Sequence, residues 1–172
     1  MLQLRVDPYT TRTLGLRDVA ELQDLYERCS DFHEVEQGVP TLPDAAERLL
    51  STVPEGKDEA DKLVLGVRSG DGRLVGVLDL IRDLPAEGEW WLGLLMLDPA
   101  ERRRGLGAAL VKALANAIRD VGGGAVSLGV LEQNTAAGRF WERLGFVELR
   151  RSAYEARSGR RSRVIVMRRL LN

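Results

Sequence analysis

Apolar residues recur along this chain at two alternating periods, roughly two residues in some stretches and roughly three to four in others, and the alternation predicts a mixture of strands and helices. Val6 and residues 11–16 form a first strand region, after which Val19, Leu22, Leu25/Tyr26 and Cys29 return at helical spacing. Pro43 opens a second, short helix carrying Ala45, Ala46, Leu49 and Leu50, which stops before Pro54 and the polar loop 55–61. Residues 63–67 and 74–80 flank Ser69-Gly70-Asp71-Gly72-Arg73, the signature of a β-hairpin closed by a glycine-bearing turn. Residues 90–97 contain no polar side chain, which marks a central strand covered on both faces, and Gly93 within it marks a bulge or a close backbone approach.

Helical spacing resumes after Asp98-Pro99 at Leu110, Ala113/Leu114, Ala117/Ile118 and Val121, and Gly122-Gly123-Gly124 ends it. Residues 125–131 read as a strand, and Asn134 opens a helix that carries Phe140, Trp141 and Leu144 and is closed by Gly145. Phe146 begins the last strands. The final one holds residues 164–167 between pairs of arginines, with Tyr154 near the end of its partner. No repeat, low-complexity tract or long linker interrupts the pattern, so residues 1–172 are expected to form one domain of α/β or α+β type around a mixed sheet.

Composition narrows the chemistry. With 172 residues, 44% of them apolar and 30% charged, the chain has the make-up of a globular protein with its own core. No apolar run approaches the roughly 20 residues of a membrane-spanning helix, and the first residues lack the pattern of a secretion signal, so membrane insertion is not expected and the cytoplasm is the expected location. A single cysteine, Cys29, and a single histidine, His33, rule out an intramolecular disulfide and offer no metal-ligand cluster. Cys29 falls on the buried stripe of its helix and reads as a small core hydrophobe, and His33 has no serine or cysteine signature beside it.

The net charge of −1 conceals an imbalance: residues 1–100 carry 20 acidic and 10 basic side chains, and residues 101–172 carry 6 and 15. Such a division suits a protein that holds a polyanion in one place and attracts a cation in another, although unequal solvated surface charge explains it equally well. The arginines of the tail, among them Arg150, Arg151, Arg157, Arg160, Arg161, Arg163, Arg168 and Arg169, admit a nucleic-acid surface, but solvated strand faces explain them more simply.

The turn Arg102-x-x-Gly105-x-Gly107 stands between the central strand and the long helix. Glycines there let backbone approach a ligand closely, and the free N–H groups of a first helical turn attract an anion such as a pyrophosphate. A dinucleotide-binding fingerprint would need a third glycine where this chain has Leu110, and the Gly-Lys-Ser/Thr of a P-loop is absent. A helix start that binds nothing remains the alternative for the turn taken alone.

The turn has company. Leu97-Asp98-Pro99, Arg102-Arg103-Arg104-Gly105-Leu106-Gly107, the strand 126–131, Asn134 and Phe140-Trp141-Glu142-Arg143-Leu144-Gly145-Phe146 occur in an order that resembles the GNAT superfamily of acyl-CoA-dependent N-acetyltransferases, closely over residues 88–147. The resemblance implies a mixed, mostly antiparallel twisted sheet of about six or seven strands with about four helices, its fourth and fifth strands splayed. It implies acetyl-CoA as co-substrate and an amine as acceptor, with a homodimer a compatible assembly and neither membrane nor nucleic acid expected as a partner. The backbone of Arg103, Arg104, Gly105, Leu106, Gly107 and Ala108 would hold the pyrophosphate, and Arg102, Arg103 and Arg104 would add attraction for phosphates. Pantetheine would pair with strand four near Leu95 and Leu97, as an added strand does. Asn134 would touch the pantetheine arm or the amine site, a role compatible with its reading as a helix N-cap.

One departure bears on mechanism. Many members carry a tyrosine where this chain has Trp141, and an indole N–H is too weak an acid to protonate the departing thiolate. Water or Tyr154 is then the candidate acid, or the thiolate leaves unassisted, and Trp141 reads as a core aromatic. Glu89, at the start of strand four, is the candidate base, with a strand-edge charge as the alternative, and an N–H near Leu97 would hold the oxyanion. An acyl-CoA binder without turnover and a transferase of longer acyl chains are the rival functions.

Overall fold

The computed structural model describes residue 2 and residues 4–171, so Met1, Gln3 and Asn172 lie outside the described residues. Its strands are β1 Thr10–Thr13, β2 Lys62–Arg68, β3 Leu74–Arg82, β4 Glu89–Leu97, β5 Ala125–Leu131, β6 Val147–Glu155 and β7 Arg161–Leu170. Its helices are α1 Val19–Arg28, α2 Ser30–Gln37, α3 Ala45–Ser51, α4 Leu106–Asp120 and α5 Thr135–Arg143. All strands join one sheet in the order β1-β2-β3-β4-β5-β7-β6, antiparallel throughout except where β4 runs parallel to β5.

Two apolar layers sandwich the sheet. On one face Leu106, Leu110, Leu114 and Ile118 of α4 and Trp141 of α5 pack on Leu78, Leu80, Leu92, Val126 and Leu128. On the other, Leu22 and Leu25 of α1 and Ala46 of α3 pack on Val64, Val77, Leu94 and Met96. Leu110, Leu114 and Ile118 are almost wholly buried, and truncating any of them to alanine would cost about 2–5 kcal/mol.

The expected bulge in the central strand is present. Leu80 lies opposite Leu92 and Asp79 opposite Leu94, which leaves Gly93 as the extra residue of β4. The inserted residue shifts the alternation by one position, so Trp90 and Leu92 join the α4 layer while Leu94 and Met96 join the α1 layer. A Cβ at Gly93 would stand 2.9 Å from Oδ2 of Asp79, a buried carboxylate held by Nζ of Lys62 at 2.9 Å. Pairing between β4 and β5 spans only Glu89–Leu92 and Ala125–Leu128 of the two strands. Beyond Leu92 the strands part and leave a gap in the middle of the sheet.

Among the described residues five α-helices flank the sheet where about four were expected. The additional one is α2, whose buried residues are His33 and Gln37; a helix whose inner face is polar carries no apolar period to detect. The first strand is also shorter than residues 11–16, because Leu16 begins a 3-10 turn, Leu16–Asp18.

Much of the opposite charge of the two halves is matched across them. Arg102 pairs with Asp31, Arg157 with Asp44 and Arg168 with Glu89. Most tail arginines likewise have carboxylate or carbonyl partners, Arg151 with Glu148 and Glu132, Arg161 with Glu155, and Arg160 with the carbonyl of Glu34. The exposed pairs contribute little to stability, on the order of 0–1 kcal/mol each.

Candidate active site

The gap between β4 and β5 opens into a cavity of about 750 Å³. Residues 92–95 and Leu97 line it from β4, residues 128–131 from β5, Asn134, Phe140, Trp141 and Arg143 from α5 and its N-cap, Arg102, Arg103, Gly105, Gly107 and Ala108 from the turn and α4, and Phe32 and Glu36 from α2.

Local conformation makes the turn concave. Arg103 (φ 59°) and Gly105 (φ 85°) both take left-handed backbone, which turns successive amides toward one side and suits an anion. Glycine adopts this at no steric cost, whereas at Arg103 it costs about 1–2 kcal/mol. The first amide of α4 with an intrahelical acceptor is that of Ala109, bonded to the carbonyl of Gly105 at 3.0 Å, and no side chain caps the start of the helix. The N–H groups before it carry the positive end of the helix dipole into the cavity wall. A Cβ added at Gly107 would come within 3.3 Å of Phe140 and 3.6 Å of Leu97, so the glycine keeps the first turn of α4 close to β4 and α5.

Each of the three arginines of the turn has a different engagement. Arg102 donates from Nε to the carbonyl of Leu97 at 2.8 Å and grips both carboxylate oxygens of Asp31. Arg104 faces Glu101, which also accepts from the Tyr9 hydroxyl at 2.6 Å, and does not line the cavity. Arg103 lines the cavity and has no ion-pair partner among the described residues. Leu106 does not line it either, its side chain being buried in the α4 layer.

Leu95 and Leu97 stand on the cavity wall. The carbonyl of Leu97, however, is committed within the protein: besides Arg102 it accepts from Sγ of Cys29 at 3.3 Å. Cys29 is wholly buried, and burial pushes its thiol up, away from the thiolate a nucleophile needs. Asn134 caps α5, its Oδ1 accepting from the amide of Ala137 at 3.1 Å, while still lining the cavity. Trp141 is buried edge-on against Phe140 and Phe146, at ring separations of 4.8 and 5.2 Å, which is the packing of a core aromatic.

The candidate base is placed elsewhere. Glu89 stands at the paired end of β4, opposite Ala125, and accepts from a terminal nitrogen of Arg168 at 2.5 Å. It does not line the cavity, since four residues of strand, about 13 Å, separate it from Gly93 where the gap begins. Its carboxylate serves as the strand-edge ion partner that its position also allowed. Tyr154 does approach the cavity, through a neighbour: its hydroxyl donates to Oε1 of Glu36 at 2.9 Å. Burial, and then the charge and hydrogen bond of Glu36, push the phenol up, which makes it a poor acid and a steady hydrogen-bond donor.

Phe32 and Glu36 come from residues 31–43, a stretch expected from the sequence to wall the acceptor pocket, with Glu36 among the fallback bases, although no local motif singles either of them out. Glu36 sits one turn after His33, which is 5% exposed and packs against the rings of Tyr26 and Phe32. Neither ring nitrogen of His33 has a hydrogen-bond partner among the described residues, and burial lowers its pKa and favours its neutral form. Among the described residues no group of His, Cys, Asp and Glu could hold a metal ion. No helix among the described residues is long and apolar enough to cross a membrane.

With this geometry in hand, likenesses to other proteins take on meaning. The model of the Acetyltransferase (GNAT) family matches residues 19–146. No curated protein sequence matches the chain. Among solved structures it is similar to the ribosomal-protein-S18-alanine N-acetyltransferase from Escherichia coli, at 22% identity over 95% of this chain and 94% of that one, with a TM-score of 0.69. It is similar to spermidine N-acetyltransferase from Vibrio cholerae in complex with CoA and spermine, at 20% identity over 96% and 97%, with a TM-score of 0.72. A probable acetyltransferase of the GNAT family from Chromobacterium violaceum is 21% identical over 98% of this chain and 86% of that one, with a TM-score of 0.78. At these identities the structures attest the fold, and the family model attests the family.

Proposed function

The chain belongs to the acetyltransferase (GNAT) family, and from that membership we propose that it transfers an acetyl group from acetyl-CoA to a primary amine by direct attack within a ternary complex. The observation that carries the proposal is the continuity of one surface: the unpaired edge of β4 beyond Leu92 runs into the uncapped first turn of α4. A ligand with a peptide-like arm and a pyrophosphate fits both parts at once, the arm along β4 near Leu95 and the phosphates at the amides of Leu106, Gly107 and Ala108 with Arg103 beside them. The neutral amine attacks the thioester carbon, a strand-four N–H near Leu97 steadies the oxyanion, and the C–S bond breaks as the amide forms. Trp141 offers no proton of suitable acidity and Tyr154 is turned to Glu36. With a thiol pKa of about 8.5, the departing sulfur takes a proton from the amine nitrogen or from water.

Thiol release from acetyl-CoA across an amine panel, read beside calorimetric binding of acetyl-CoA, tests the proposal. Binding with amine-dependent thiol release is expected. Binding without release for any amine would select the rival favoured by Trp141, an acyl-CoA binder that does not turn over, and parallel assays with longer acyl-CoAs test the acyl chain.

A further inference from the structure

The cavity is electrically lopsided. Its basic lining residues, Arg102, Arg103 and Arg143, come from the turn and α5, whereas Glu36, from α2, is the one carboxylate on its wall among the described residues. Phe32 and Leu94 lie on the wall with it. We infer that Glu36 is the catalytic group that receives the acceptor's ammonium and takes its proton, and that the acceptor is an amine with a single cationic end and an apolar flank. The inference rests on the transferase function proposed above.

Geometry supports a working carboxylate. Oε1 of Glu36 is fixed by the Tyr154 hydroxyl, which leaves Oε2 to meet a ligand, and Tyr154 is thus a positioning residue. The strand that carries Tyr154 is held over α2 by its own hairpin tip: the amide of Ser158 donates to Oε1 of Gln37 at 3.2 Å, and Arg160 donates to the carbonyl of Glu34 at 3.0 Å. The titratable groups facing Glu36 are Tyr154 from β6, His33 from α2 and Tyr26 from α1; burial keeps His33 neutral and Tyr26 protonated, so none competes as a cation for the carboxylate. One carboxylate balances one ammonium. A polyamine would carry further charges past Phe32 and Leu94 without partners, and burying an unpaired charge is costly.

The ammonium loses one proton to Oε2 of Glu36, the neutral nitrogen forms the N–C bond, and the C–S bond breaks with its electron pair on sulfur. The second nitrogen-bound proton passes to the thiolate, giving amide and CoA thiol, and Glu36 returns its proton to water.

The test compares wild type, Glu36→Gln, Glu36→Asp and Tyr154→Phe with acetyl-CoA and an amine panel of hexylamine, benzylamine, 2-phenylethylamine, spermidine and lysine. Glutamine keeps an oxygen that accepts from Tyr154, so the contact between α2 and β6 survives. For the best amine at neutral pH, Glu36→Gln should lower kcat/KM by roughly 10²-fold or more while the acetyl-CoA Kd stays within about twofold of wild type. The deficit should shrink as pH approaches the pKa of the amine, Glu36→Asp should recover part of it, and Tyr154→Phe should lose about tenfold with the same narrowing. Wild-type kcat/KM in Glu36→Gln on an amine the native enzyme acetylates would overturn the role of Glu36 and leave the transferase function standing. Preference for spermidine or lysine over the monoamines would overturn the acceptor class. Absence of thiol release from wild type with every amine would instead overturn the transferase function itself, and this inference with it.

Discussion

At its β4/β5 end the cavity presents unpaired main chain, the parted strand edges and the uncapped first turn of α4, whereas at its α2 end it presents side chains, Phe32 and Glu36 with Tyr154 behind them. Main chain can recognise only what all peptides recognise, hydrogen-bonding edges and anions, so that end suits an invariant ligand. Side chains set charge and shape, so on the proposed function the α2 end is where the choice of acceptor would reside. A backbone-built site is sensitive to whatever blocks its approach, and a side-chain site to the loss of one functional group.

Substitution at Gly107 should have the largest effect. Gly107→Glu places a branching carbon 3.3 Å from Phe140 and an anion where phosphates would lie, and acetyl-CoA should bind about 10²-fold more weakly, or about 3 kcal/mol, in a protein with unchanged circular dichroism. Unaltered affinity by calorimetry would mean that the turn is not the anion site. Next in size, Glu89→Gln removes the carboxylate that holds Arg168, whose Nε is already buried without a partner. Chemical denaturation should register a loss of about 1–3 kcal/mol, with kcat within about twofold of wild type. A fall in kcat of roughly 10²-fold at intact acetyl-CoA affinity would restore Glu89 as the base and break the division between the two ends.

Trp141→Phe should cost about 1 kcal/mol through poorer packing against Phe140 and Phe146 and leave the pH profile of kcat in place. Disappearance of an alkaline limb would make the indole position part of the chemistry. The smallest effect is expected at Asp31, whose side chain is 61% exposed. Arg102 holds its carboxyl below the ordinary value of 3.8, so the pair is intact at neutral pH and is lost only as pH falls through 3.8 and below. Asp31→Asn should change stability by less than about 0.5 kcal/mol, and by releasing Arg102 should tighten acetyl-CoA binding by about two- to threefold. Weaker binding in this variant would show that Arg102 needs Asp31 to stay in place.

The same contrast governs what could be read without coordinates. Strand β5, the bulge at Gly93 and the turn at residues 102–107 were legible because glycines and apolar periods are local signals, present within a few residues of the structure they cause. Asn134 could be read as a cap for the same reason, the amide that donates to it lying three positions on at Ala137. The α2 end resisted. Its helix buries His33 and Gln37 rather than leucines, and its working contact joins Glu36 to Tyr154 across 118 positions of sequence. Glu89 misled for a related reason: a carboxylate at the start of an apolar strand looks alike whether it faces a substrate or an arginine 79 positions away.

Arg102 lies on the boundary between the two ends, with Nε on β4 at Leu97 and its fork on Asp31 at the start of α2. A phosphate that recruited this guanidinium would take it from α2, and an acceptor that strengthened its hold on Asp31 would withhold it from the phosphate. Ligands that draw on one group oppose each other, and thermodynamic linkage makes the opposition mutual: whatever factor the donor subtracts from acceptor affinity, the acceptor subtracts from donor affinity. On the proposed function, the spent donor and the acylated amine would share that antagonism, and each would ease the other's departure at the end of a cycle.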